Sequence, residues 1–341
     1  MNATLLWPER LENSGLCLSI TLLFCAYFSV WLESKIGADI QARVGPNRAG
    51  RAGLLQPLAD SLRLISKSNP SAPSNRMRQF WWLQGLPLFA MIAVVPAGAD
   101  GPLLQAPFAI FVPVFLGLCF AWAGLLIGWQ AERIEGRFVS IRQAALSLSA
   151  APPALLSIAI AGMTAGGFEW SRIQEYQGFL PIHWLALSNP FAFIAGIIFL
   201  ASGMLVFSLP PFASSGGSSL SLLRELEGTS GIREAWARLS HRLAPICWSL
   251  VAVGVFLGGS RLPPPLEAML DGSWLSAPLH AFVLVVKVLA IQVGLSIASR
   301  TLPAVRADQA HDFAWRVLSP AAIIALACFR LFTIGFAGGA S

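Results

Sequence analysis

The feature that most constrains this chain is a series of apolar runs, each close to the length of a bilayer-spanning helix, separated by polar connections. A helix that crosses the hydrocarbon core needs about 20 apolar residues, and in lipid its backbone amides must be satisfied within the segment itself. The runs fall at 14–33, 79–98, 106–129, 142–163, 190–208, 244–260, 278–299 and 317–336. Only 12% of residues are charged while 55% are hydrophobic. A soluble domain carries about 25% charged residues, so these side chains do not suffice to build a water-facing shell. The spacing predicts an all-α integral membrane protein: about eight transmembrane helices plus a short amphipathic interfacial helix, in a single membrane domain over 1–341 with both termini outside. The first run is long enough to span and lacks a cleavage-like sequence, so no removable signal peptide is expected.

The charges orient the spans. Eighteen of the 23 basic residues lie in connections 34–78, 130–142, 209–243 and 300–316. With eight alternating helices, all four connections share one face, and the positive-inside rule makes that face cytoplasmic. The opposite side holds only Arg10, Arg172 and Arg261. A net charge of +6 distributed in this way argues against nucleic-acid binding. The five cysteines (Cys17, Cys25, Cys119, Cys247, Cys328) are far apart and form no C-x-x-C, so neither a metal site nor an iron–sulfur cluster is expected. No catalytic triad or phosphate-binding loop appears either. His183, His241, His280 and His311 lie in loops or at span ends, which argues against an intramembrane haem.

Two further stretches stand out. In 53–67, Leu54, Leu55, Leu58, Leu62 and Ile65 recur at helical spacing, with Asp60, Arg63 and Lys67 on another face. This predicts a helix too short to span that lies in the interface. In 142–163, Pro152 and Pro153 predict a kink.

Residues 33–63 read ESKIGADIQARVGPNRAGRAGLLQPLADSLR. This segment resembles the first cytoplasmic loop in the family of quinone-proximal membrane subunits (subunit 1 in mitochondria) of proton-translocating NADH:quinone oxidoreductase, respiratory complex I. The likeness rests on Glu33, Lys35, Gln41, Arg43, Gly45, Pro46, Asn47, Gly50, Gly53, Gln56, Ala59 and Asp60, with Arg63 in place of Lys. It continues more thinly through Gly128, Trp129, Arg142, Pro211, Phe212, Leu302, Pro303, Arg306, Asp308, Gln309 and Trp315. The resemblance implies a multi-pass protein of the bacterial cytoplasmic membrane. Its cytoplasmic loops would dock a peripheral arm that holds flavin and iron–sulfur clusters. Together they would enclose a quinone chamber, with quinone as a shared substrate, and quinone reduction there would drive proton translocation. Other membrane-arm subunits are the remaining partners. Such a chain catalyses nothing alone.

The resemblance assigns Glu33, Lys35, Gln41, Arg43, Gly45, Pro46, Asn47, Asp60 and Arg63 to the chamber or to the loop that frames it, and Arg142, Arg306 and Asp308 to docking loops. Where the family has carboxylates leading from the chamber into the membrane, this chain has Ala151, Ala213, Gly216, Ser218 and Leu220. A proton path here must use other groups: Glu225, Glu227 and Glu234 nearby, His241 at a helix start, and Lys287 within the seventh span. A charge at the centre of a span costs about 2.5–3.5 kcal/mol, so Lys287 is expected to face a polar cavity or a partner. Arg330, in the last span, is expected to meet a neighbouring subunit or a lipid headgroup. The same features also fit two alternatives. One is the equivalent subunit of a membrane-bound hydrogenase or formate hydrogenlyase. The other is a divergent docking scaffold with impaired proton conduction, which the missing carboxylates favour. A stand-alone transporter fits poorly, since no paired discontinuous segments stand out.

Overall fold

The computed structural model describes residues 7–67, 75–96, 106–129, 134–212, 232–270 and 276–337. Every regular element among them is helical. In chain order these are α1 (Trp7–Ile40), α2 (Gln56–Ile65), α3 (Asn75–Val94), α4 (Val112–Trp129), α5 (Ile134–Ala165), α6 (Trp170–Tyr176), α7 (Leu185–Ser188) and α8 (Pro190–Val206). They continue with α9 (Ile232–Phe256), α10 (Pro264–Leu270), α11 (Ser276–Thr301), α12 (Ala307–Phe313) and α13 (Ser319–Ala337). A π turn, Ala314–Leu318, joins α12 to α13. Glu225, Glu227, Ala213, Gly216, Ser218 and Leu220 lie outside the described residues.

All eight apolar runs overlap a helix. Among the described residues, five stretches are long and apolar enough to cross a bilayer: Ala109–Trp129, Gly136–Ala165, Ala235–Phe256, Pro278–Thr301 and Ala307–Ile334. Leu83–Val94 and Pro190–Val206 are shorter apolar helices. The chain is a multi-pass membrane protein.

Boundaries differ from the sequence reading in one systematic way. α5 starts at Ile134 rather than at 142, and α9 at Ile232 rather than at 244. Counting apolar residues stops at the first arginines. The backbone hydrogen-bond ladder does not, since a helix entering water keeps its internal bonds and loses only its apolar coat. The interfacial segment is shorter than 53–67: a 3-10 turn at Arg51–Gly53 precedes α2, whose first turn holds Pro57. There a missing N–H removes no bond.

The interior is organised around α9. This helix touches α1, α2, α3, α4, α5, α8 and α11. Its Trp248 is buried, stacks on Phe199 of α8 at 4.5 Å between ring centroids, and donates its indole N–H to the Phe199 carbonyl at 3.0 Å. Glycines make the room. A Cβ on Gly203 would lie 2.2 Å from the Trp248 Nε1, and one on Gly117 would lie 3.0 Å from the same ring. Between membrane helices, small residues of this kind let partners approach closely where no hydrophobic drive exists. α11 runs antiparallel to α9: Gln292 donates to the Pro245 carbonyl (3.0 Å) and Ser249 Oγ (2.9 Å), while Lys287 and His280 reach carbonyls further along.

Candidate functional site

The motif-bearing loop begins where α1 ends. Ala42 adopts a left-handed conformation (φ 52°), and the Arg43 N–H donates back to the Ala38 carbonyl at 2.8 Å, which turns the chain off the helix axis. Gly50 and Gly53 both have φ near 74°. At Gly53 the need is steric as well: a Cβ would sit 2.1 Å from the Pro46 carbonyl oxygen. The Gly45-Pro46-Asn47 turn therefore folds directly onto Gly53, and the Lys35 stem runs alongside Gly45. Two aromatic side chains of α1 hold the far strand of the loop: Trp31 Nε1 donates to the Ala52 carbonyl at 3.1 Å, and the Tyr27 hydroxyl donates to the Leu54 carbonyl.

α2 follows, resting on α1 and α9. None of its residues is buried, and Leu54, Leu55, Leu58, Leu62 and Ile65 stand exposed. Its polar face includes Asp60, which accepts from the Gln56 amide at 3.1 Å, and the exposed Arg63. A helix with this division, at the edge of a membrane bundle, seats its apolar stripe in lipid.

Charges from distant parts of the chain converge on this loop. Arg300, at the end of α11, pairs with Glu33 at 3.6 Å, and its guanidinium packs over Gly37, where a Cβ would lie 3.2 Å from it. Arg242 of α9 is half-buried and sits in the field of the Glu33 and Asp60 carboxylates. The loop after α8 joins the same assembly. The Val305 N–H donates to the Pro211 carbonyl at 2.8 Å, and Phe212 stacks on Phe313 at 5.5 Å. Arg306 caps α12, its N–H donating to Gln309 Oε1 at 3.2 Å, and Asp308 occupies the first turn, where a carboxylate favours the helix dipole. Arg142 is half-buried on α5, whereas Gln41, Arg43 and Asn47 are exposed.

His241 lies one turn before Pro245 and is 6% exposed. Its Nε2 is 3.1 Å from the Gln84 amide nitrogen of α3, and its ring meets the edge of Phe120 at 5.3 Å. With that amide donating, the ring proton sits on Nδ1, and Nδ1 has no hydrogen-bond partner among the described residues. The missing N–H of Pro245 also leaves the His241 carbonyl without its helical donor. The buried imidazole therefore accepts one hydrogen bond from Gln84 and keeps an N–H whose acceptor is not among the described residues, beside an open carbonyl.

Lys287 goes elsewhere. It donates to the Leu257 and Gly259 carbonyls at 2.8 and 2.9 Å and lies 4.6 Å from the Trp184 ring centroid. Its charge is met within the chain, at the end of α9 remote from His241, by open carbonyls and a π face.

The sequence reading did not find Arg300 as the partner of Glu33, Arg242 as the cation behind the loop, or Gln84 as the partner of His241. A signal existed for Gln84, an amide isolated in an apolar run. The arginines were visible only as members of basic connections.

Comparison with known proteins gives a consistent picture. The family described as NADH dehydrogenase matches residues 14–330. A relative from Burkholderia ambifaria (strain MC40-6), described as a subunit of NADH-quinone oxidoreductase, is 28% identical over 328 residues, covering 91% of this chain and 87% of that protein. A protein of the same description from Burkholderia vietnamiensis (strain G4) is also 28% identical over 328 residues, with the same coverage.

Proposed function

This chain belongs to the NADH dehydrogenase family, and from that premise we propose that it forms part of the quinone chamber of an NADH:quinone oxidoreductase and couples quinone reduction to proton movement. The observation that carries this reading is the Glu33–Arg300 ion pair, with Arg242 in the field of Glu33, behind a glycine-shaped loop and next to a helix whose apolar residues stand exposed. A quinone needs a greasy corridor for its tail and fixed polar groups for its head. Here α2 borders the corridor, and the Glu33–Arg63 segment with the two arginines forms the polar end. The peripheral arm, with flavin and iron–sulfur clusters, docks on the loops that carry Arg142, Arg306 and Asp308, and the electrons arrive from it. The relatives' descriptions favour the quinone branch over a hydrogenase arm.

His241 is the proton-handling group of this reading. Its placement between α3, α4 and α9 puts it inside the bundle, with an imidazole N–H that no described residue accepts. Lys287, with its donors committed to carbonyls, is a clamp.

The test is carried out on the complex purified with this chain. A photoreactive quinone should label the segment Glu33–Arg63, and Arg242→Met should abolish labelling while the complex stays assembled. Labelling confined to other subunits, unaltered by that substitution, excludes the chamber role. A second reading, a docking scaffold that conducts no protons, is favoured by the uncharged Ala151, Ala213, Gly216 and Ser218. It predicts quinone reduction without acidification of reconstituted vesicles.

A further inference from the structure

α5 and α12 meet at a contact that neither the loop chemistry nor His241 uses. His311, on α12, is exposed at its outer edge, yet its Nδ1 lies 2.7 Å from the hydroxyl of Ser149, which is 2% exposed in the interior of α5. Ser149 Oγ also donates to the Ala145 carbonyl at 2.8 Å. A hydroxyl has one proton to give, so toward His311 it accepts, and Nδ1 carries the ring hydrogen. The basic nitrogen, Nε2, is then the one that faces outward. The ring has one nitrogen to take up a proton from water and another hydrogen-bonded into the bundle.

Both helices depart from ideal geometry at this point. Pro152 and Pro153 lie inside α5 and lack the N–H groups that would satisfy the Leu148 and Ser149 carbonyls, so two acceptors are open beside the hydroxyl. On the other side α12 passes into the π turn Ala314–Leu318. Such turns are enriched at functional positions, because a helix otherwise has no reason to bear their cost. Ala151, two residues along α5, offers nothing that titrates. Among the described residues, the nearby charges include Asp308, Asp312 and Arg316 on the His311 rod, of which Asp312 and Arg316 pair at 3.6 Å, and Arg142 two turns back on α5.

We propose that His311 and Ser149 form a proton intake for this protein, a relay built from an imidazole and a hydroxyl. A proton from water binds Nε2. The Nδ1 hydrogen moves to Ser149 Oγ, whose own hydrogen passes to water held at the Leu148 and Ser149 carbonyls. The ring is left neutral with its proton on Nε2; turning out from Ser149, it takes a proton from solvent on Nδ1, releases the one on Nε2 to solvent, and turns back in the starting tautomer. Charge and protons balance, and no other reactant is consumed. This inference rests on the coupling role proposed above.

The test uses the whole complex in sealed vesicles, with quinone reduction and internal acidification measured together. His311→Asn keeps an N–H at the Nδ1 position but cannot take up a proton, whereas His311→Glu restores a titrating group. The expected result is that H311N loses most of the protons moved per quinone reduced, that H311E retains pumping, and that Ser149→Ala follows H311N. Unchanged pumping in H311N overturns the relay, as does equal loss in H311N and H311E with the complex intact, since that pattern marks a purely structural imidazole. Wild-type complex that fails to reduce quinone overturns the coupling reading itself, an outcome distinct from any change confined to the variants.

Discussion

At Gly53 the loop has no room for a single methyl group. A Cβ there meets the Pro46 oxygen at 2.1 Å, and φ is 74° besides. Gly53→Ala therefore has to push the Gly45-Pro46-Asn47 turn away, and about 1–3 kcal/mol of stability should be lost together with quinone-site inhibitor binding. Gly166→Ala is the matching control. Its φ is 79° but nothing lies within 4 Å, so only the left-handed penalty of about 1–2 kcal/mol applies, and inhibitor binding should persist. His241 and Lys287 separate in the same way. His241→Ala removes the buried imidazole and should lower protons pumped per quinone with the complex intact. Lys287→Met leaves two carbonyls unpaired, at about 1–3 kcal/mol each, and should lower the unfolding temperature while pumping per quinone is unchanged in the complex that survives. Equal stability of K287M and wild type would show that the ammonium braces nothing. The partners of these residues were not legible in the sequence. Glu33 was marked by a dense local motif, but Arg300 lies across the whole bundle from it in sequence, and only the packing of α11 on α1 brings the two together.

Helices were the most legible level, because a bilayer imposes one length and one polarity on each. Where that rule weakens, so does the reading. The first turns of α5 and α9 leave the apolar slab, and their arginines hid them. The partner positions on α9 depend on Pro245, Gly203 and Trp248, whose meaning appears only once the helices are packed. Gly203→Leu should be disruptive, since Trp248 fills the space a side chain would enter, and overpacking of this kind typically costs about 1–3 kcal/mol. Reduced thermal stability of the complex and reduced recovery from membranes are the measurements. α2 makes a different prediction. Its exposed leucines are positioned for lipid, so Leu58→Glu with Leu62→Glu should raise KM for long-tailed quinones while sparing a short-tailed analogue. An equal change for both would place the damage at the polar end of the site rather than along α2.

Taken as one molecule, the chain has two chemically different ends. At one, loops distant in sequence are tied by Glu33–Arg300, Pro211–Val305 and Phe212–Phe313, with Arg242 behind them. At the other, the end of α9 is stitched down: Gln177 donates to the Val255 carbonyl, Lys287 to those of Leu257 and Gly259, and His280 to that of Ser260. His241 and Leu257 are sixteen residues apart on this path, about 24 Å at helical rise, which is most of a hydrocarbon core. A stitched end and a loop-rich end suit a protein that is rigid on the far face and docks partners on the near one. By the positive-inside rule, the basic connections lead us to expect the loop-rich end in the cytoplasm. With the exposed Cys119 and Cys328 replaced by serine, Arg48→Cys should react with an impermeant maleimide only from the cytoplasmic side, and Met269→Cys on α10 only from the other. Stripping the peripheral arm should accelerate the Arg48→Cys reaction and leave Met269→Cys unaffected. Labelling of Arg48→Cys from the periplasmic side would invert the expected orientation and exclude the proposed chamber on a cytoplasmic face.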